Sequence, residues 1–222
     1  WEAHKQEGWR WWKERMARML RLFDMVRIDH FRGFHSAWAI PTQDENAKNG
    51  VWQDGPKDEL IQALVNIAKS KERIIAEDLG IIPKEVTELR IRNGLRGMGV
   101  LQFGFDGNLN SNPHHPNNIN ELQVVYTGTH DNNTTLGWWN ESDNDRKKRF
   151  VQLLNEGEDV VSGCIRLALS SKASMAIIPL QDILRLDFES RMNTPGTTNN
   201  NWKWSFSWDD FLISQISWFG SL

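Results

Sequence analysis

Cysteine is nearly absent from the chain: Cys164 is the only one in 222 residues. A single thiol closes no intrachain disulfide, which excludes the disulfide-stapled scaffolds of small secreted domains and favours a reducing compartment. Also missing is an apolar run long enough to span a bilayer, and the opening residues WEAHKQEGWR are too polar for a secretory signal. The chain therefore reads as cytoplasmic, with no membrane partner. Nor is there an excess of positive charge, since 26 Lys and Arg stand against 29 Asp and Glu for a formal net charge of -3. The basic residues are dispersed rather than striped with aromatics, so no nucleic-acid partner is expected. No His or Cys group has metal-ligand spacing, and neither a metal nor another cofactor is called for. Tyrosine occurs once, whereas tryptophan occurs 12 times. The indole is a large apolar face with one donor, suited to burial and equally to lying against the C–H faces of a sugar ring.

The hydrophobic period switches repeatedly along the chain. Residues 9–24, WRWWKERMARMLRLFD, carry apolar side chains at helical spacing, and MVRIDHF then reads as a short strand. KDELIQALVNIAKS, 57–70, is a second amphipathic helix, followed by the β-branched run RIIAEDLG; Pro83 opens a third helix at the position where a missing N–H costs nothing. The strand MGVLQF, the loop FDGNLNSNPHHPNN, the strand QVVYTGTHD, helices near 143–155 and 158–171 and the strand SMAIIPL complete the series. This alternation predicts an α/β fold with right-handed crossovers and a parallel sheet buried on both faces. No low-complexity linker divides residues 1–222, which are expected to form part of one domain.

Three of the strands deliver acids at their C-terminal ends. Asp29 closes MVRID, Glu77 and Asp78 close RIIAED, and His130 with Asp131 follow VVYTGT. In parallel β/α barrels that is the face on which chemistry is built. Converging carboxylates repel and lose solvation, so their clustering points to a reaction that uses them. Glycosyl transfer with retention is such a reaction: one carboxylate attacks the anomeric carbon while a second, about 5 Å away, protonates the leaving oxygen. Glu77 stands out because an apolar strand leading straight into two acids puts charge beside a core, whereas the other two have plainer readings. Asp29 alone would serve as a helix N-cap, and GTHDNNTT is compatible with Asp and Asn side chains capping their own turn.

The segments VRIDHFRGF, IIAEDLG, GVLQFGFD, VVYTGTHDNNTTLGWW, PLQDILRL and RMNTPGTTNNNW resemble, in order, the signature blocks of the 4-alpha-glucanotransferases, also called amylomaltases or disproportionating enzymes, within the alpha-amylase clan. The likeness runs from about Trp9 to Trp204. It implies a (β/α)8 barrel, with Asp29 as nucleophile, Glu77 as general acid/base and Asp131 as the third carboxylate, which stabilises the oxocarbenium-like transition state. It further implies substrate contacts from Arg27, Asp78, Phe103, Asp106, His130 and Asn193. Arg27, two residues before Asp29 on the same strand face, would keep the nucleophile ionised. His130 and Asn193 match the donor subsite and Phe103 the acceptor side, while Asp78 and Asp106 are equally readable as caps of a helix or loop. The implied partners are maltooligosaccharides and amylose, with glucose as an acceptor, in starch and glycogen metabolism. An alpha-glucan hydrolase of the same clan, or a non-catalytic sugar-binding fragment, remains the alternative.

Five strand candidates are present, ending near Asp29, Glu77, Phe103, Thr127 and Pro179, where a closed barrel of this kind has eight. The chain is accordingly expected to be the C-terminal part of such a barrel. After NWKW, Ser205 stands where the family usually continues with arginine. Contacts made by that arginine are not expected here.

Overall fold

The computed structural model describes residues 1–208 and 217–220. Most of the segment SFSWDDFLISQISWFGSL thus lies outside the described residues. The chain falls into two compact units, residues 1–98 and the remainder from Gly99.

In the first unit, α1 (Glu2–Gln6) leads into α2 (Arg10–Leu22), which buries Met16 and lays Trp12 and Leu20 against the core. Strand β1 (Val26–Ile28) follows, then the single-turn helix α3 (Arg32–His35). Strands β2 (Ser36–Ala39) and β3 (Val51–Asp54) form an antiparallel hairpin. Helix α4 (Lys57–Ala68) buries Leu60, Ile61, Leu64 and Ala68, the i, i+4 stripe visible in KDELIQALVNIA. Strand β4 (Ile74–Ala76), buried throughout, pairs in parallel with β1 in the register Val26↔Ile74, Ile28↔Ala76. Helix α5 (Lys84–Arg92) completes the unit, with Pro83 as its N-cap at ψ 151 rather than as its first helical residue.

The hairpin departs from the expected unbroken helix and strand alternation. Its physical basis is the cross-strand pair Trp38 and Trp52, directly opposed in the register, whose rings meet at 5.3 Å. The Trp38 indole also donates to the Ala47 carbonyl at 2.8 Å, which fixes the connection.

Strand β5 (Gly97–Val100) marks the passage to the second unit, where it heads a three-stranded sheet in the order β5, β6 (Gln123–Tyr126), β7 (Met175–Ile177). The pairing of β6 with β7 is parallel, Val124↔Met175 to Tyr126↔Ile177. Helices α6 (Thr135–Glu141), α7 (Asn144–Val151), α8 (Val160–Leu169) and α9 (Leu180–Ile183) accompany it. Phe105, Trp138 and Phe150 form its aromatic core with centroid separations of 4.9–5.8 Å. Strands β4, β5 and β6 are buried, as an apolar run between helices requires, whereas β1 is half-buried and β7 exposes Met175 and Ile177. The molecule is therefore an α/β protein built on parallel strand pairs, and its described residues do not close into a barrel. The strand predicted over MGVLQF ends at Val100, because Leu101–Phe103 turn into a 3-10 helix.

The loop after that turn carries a pH-dependent element. His114 Nδ1 accepts from the Val100 N–H at 3.3 Å, and its ring packs edge-on against Phe103. Burial pushes this imidazole down to about 4 from its ordinary 6.5. An unfolded chain then takes up a proton that the folded one refuses, so stability falls as pH drops from 6.5 towards 4. Thermal unfolding followed across that window is expected to show the decline, and His114→Gln, which cannot titrate, is expected to flatten it.

Candidate active site

In the first unit the parallel pairing of β1 and β4 sets Asp29 and Glu77 side by side, each one residue past its strand. The register Ile28↔Ala76 continues into the Glu77 N–H, which donates to the Ile28 carbonyl at 2.9 Å, and the Phe31 N–H, which donates to the Glu77 carbonyl at 3.0 Å. Adjacent strands run about 4.8 Å apart, so this pairing brings two carboxyl-bearing residues to neighbouring positions. The Asp29 side chain is 77% exposed and forms an ion pair with Arg27 Nη1 at 3.0 Å. It caps no helix: the N-cap of α3 is Phe31, without a side-chain cap. The Glu77 carboxylate is held by two backbone amides, Oε2 accepting from His30 N at 2.6 Å and Oε1 from Leu79 N at 3.0 Å. To aim its amide at Glu77, His30 adopts φ 47, in the left-handed region. A cavity of about 210 Å³ reaches Asp29 but is not lined by Glu77; its charged lining is supplied by Arg15, Arg27 and Asp29 and its apolar lining by Trp12, Met16 and Leu64 among others.

Asp78, one residue on, points inward. Its Oδ2 lies 2.8 Å from Arg90 Nε and its Oδ1 accepts from Met98 N at 2.8 Å, with the Asp78 and Arg90 side chains 12% and 7% exposed. Burial raises its pKa against the opposing pull of Arg90. Both oxygens are thus engaged within the protein, by a buried ion pair and a strand amide rather than by a helix cap.

The second unit assembles His130, Asp131 and Asn193. Asn193 Nδ2 donates to Asp131 Oδ1 at 2.6 Å and its N–H donates to the His130 carbonyl at 3.1 Å. The His130 and Asp131 side chains approach to 3.5 Å. The turn chemistry of GTHDNNTT falls to other residues: Asn132 Oδ1 accepts from Thr129 N and Oγ1, and Thr134 caps α6 by accepting from Gly137 N. That leaves the Asp131 carboxylate, half-exposed, outside the turn's own bonds. Two residues not singled out from the sequence join the group. Arg191 donates to the Asp131 carbonyl at 2.6 Å and to the Asn193 carbonyl at 2.8 Å, and the exposed Trp202 ring lies 5.3 Å from that of His130. Both sit in RMNTPGTTNNNW; the spacing of Arg191 from Asn193 repeats that of Arg27 from Asp29 and is the one signal the sequence offers for it. Phe103 is 38% exposed, and Asp106 forms a half-exposed ion pair with Arg146 at 2.8 Å. Neither touches the His130 group through a described contact.

Against known proteins, the sequence profile described as 4-alpha-glucanotransferase, glycoside hydrolase family 77, matches residues 1–210. The chain belongs to this family. A 4-alpha-glucanotransferase of Solanum tuberosum, named chloroplastic/amyloplastic, is 46% identical over 92% of this chain and 35% of its own length. The 4-alpha-glucanotransferase of Synechocystis is 44% identical over 100% of this chain and 45% of its own. Among solved structures, the amylomaltase from Streptococcus agalactiae in complex with acarbose superposes with a TM-score of 0.93 at 29% identity, covering 100% of this chain and 45% of that one. The chain thus spans between about a third and a half of these relatives.

Proposed function

We propose that the protein is a 4-alpha-glucanotransferase that moves alpha-1,4-glucan segments from a maltooligosaccharide or starch donor to the 4-hydroxyl of an acceptor glucan or glucose, and that its strands contribute about five of the eight of a (β/α)8 barrel. The observation that carries the reading is the pairing of Asp29 and Glu77 on adjacent parallel strand ends within a family member. In the reaction, an Asp29 oxygen attacks the anomeric carbon with inversion while Glu77 gives its proton to the departing glycosidic oxygen. Glu77 then takes the proton of the incoming 4-hydroxyl, which displaces Asp29 with a second inversion, so the configuration is retained.

The surrounding groups suit those roles. Arg27 supplies fixed positive charge beside the nucleophile, and the His30 and Leu79 amides hold the Glu77 carboxyl in one orientation. Asp131 is assigned to ring hydroxyls and to the developing positive charge, with His130, Asn193, Phe103 and Asp106 as further sugar contacts. Asp78, whose oxygens are occupied, acts by holding the Glu77 segment in place. Substrates are therefore maltooligosaccharides, amylose and glucose. A cytoplasmic setting is proposed from the sequence; among the described residues no helix is long and apolar enough to cross a membrane.

The test is incubation of the chain with pure maltotriose, alone and fused behind the N-terminal part of the Synechocystis relative, with products separated by size. A ladder of longer oligosaccharides plus glucose in either form is expected. Glucose and maltose without a ladder would indicate hydrolysis instead, and a ladder in neither form would overturn the proposal.

A further inference from the structure

The segment PLQDILRL has no part in the chemistry above, yet it holds the most deeply buried carboxylate among the described residues. Asp182, 1% exposed, sits in α9. A carboxylate in such a place is costly unless its oxygens are satisfied, and here three neutral donors satisfy them. Thr127 Oγ1 donates to Oδ2 at 2.6 Å, Thr135 Oγ1 to the same oxygen at 2.8 Å, and Thr135 N to Oδ1 at 2.7 Å. Burial raises the acid's pKa and the hydrogen bonds oppose that rise.

The positions of those donors give the arrangement its meaning. Thr127 immediately follows β6 and Thr135 opens α6, so both ends of the loop 128–134 are tied to one side chain. That loop bears His130 and Asp131 at its exposed middle. Its other ties are the Thr129 to Asn132 turn, Gln102 Nε2 donating to the Asn133 carbonyl at 2.9 Å, and the Arg191 and Asn193 bonds to His130 and Asp131 described above, which hold the loop's middle rather than its ends. Threonine is suited to both ends, since its β-branch stiffens χ1 and its hydroxyl reaches the acid without moving the backbone. We propose that Asp182 is a positioning residue for the His130–Asp131 loop, setting where Asp131 meets the sugar. The catalytic part of this inference rests on the role proposed for Asp131; the mechanical part does not.

Amide hydrogen exchange of the chain without sugar separates the two. In Asp182→Asn, exchange over residues 128–135 is expected to quicken about tenfold, the scale of a lost hydrogen bond to a charged group. Residues 161–168 of α8 should keep their protection, and the buried Cys164 should react with a thiol reagent as slowly as before. If that variant does not fold, shown by immediate Cys164 labelling, the pair Thr127→Val and Thr127→Ser decides: the valine form should exchange faster over the same residues and the serine form as the parent does. Unchanged exchange over 128–135, or a rise shared equally by α8, overturns the proposal. In the form that transfers, Asp182→Asn is expected to lower kcat about tenfold while KM for maltotriose moves less, with Thr127→Ser at parent values. Altered exchange with no transfer in any form would instead count against the reading of the enzyme and leave the clamp standing.

Discussion

Asp29→Asn and Glu77→Gln are each expected to abolish maltotriose transfer, by about a thousandfold or more, in whichever form of the protein transfers. The carboxamide introduced by Asp29→Asn is close in shape to the carboxylate but a poor nucleophile, so no glycosyl ester forms and the first displacement stops. The carboxamide introduced by Glu77→Gln keeps one acceptor oxygen, for the His30 N–H or the Leu79 N–H, but has no acidic proton to give. General acid catalysis alone contributes about 10²–10⁴-fold, and a leaving sugar oxygen needs it. The two variants should differ on an activated donor such as an aryl maltoside: with a good leaving group, Glu77→Gln should recover its first step and release the aryl alcohol, whereas Asp29→Asn should remain inert. Transfer surviving in Asp29→Asn at parental rate would remove it from the mechanism. Asp29→Asn should leave folding intact, because the Asp29 side chain is 77% exposed in its pair with Arg27 and exposed ion pairs add little stability.

The second large effect is on stability. Asp78→Ala strips the buried Arg90 guanidinium of its carboxylate and takes away the acceptor that Asp78 offers to the Met98 N–H. Removing one partner of a buried pair costs about 3–5 kcal/mol, which in a unit of this size corresponds to a fall in Tm on the order of 15 °C. Arg90 also donates to the Leu95 carbonyl at 2.9 Å, so its loss of place would loosen the turn that leads into β5. Asp78→Asn, which retains an acceptor for Met98, should lose less. Calorimetry or circular dichroism of the first-unit transition checks both, and a stable Asp78→Ala with a raised KM would instead make Asp78 a direct sugar contact.

The reach of the sequence differs from residue to residue. An apolar run that stops abruptly in acids reads as a strand delivering charge at its end, so the positions of Asp29 and Glu77 just past β1 and β4 are legible from pattern alone. The meeting of Asn193 with Asp131 is of another kind. No periodicity relates residues so far apart, and only the resemblance names both. The β2–β3 hairpin escapes because VWQD has no buried face and hence no alternation to read. Phe103 is expected in a strand, and the 3-10 turn that exposes it follows from backbone bonds rather than side-chain pattern. Asp182 gives no signal at all, since an acid in the first turn of a short helix looks like any other.

His30 shows how selection can act on a residue whose side chain is not the point. What the site takes from this position is an amide aimed at Glu77 and a backbone bent to φ 47. Variation there should follow the Ramachandran map instead of the chemistry of imidazole. Glycine and asparagine, which enter that region readily, are the permitted replacements, while valine and isoleucine, stiff and branched, are barred, and proline is barred twice because it has no N–H to offer.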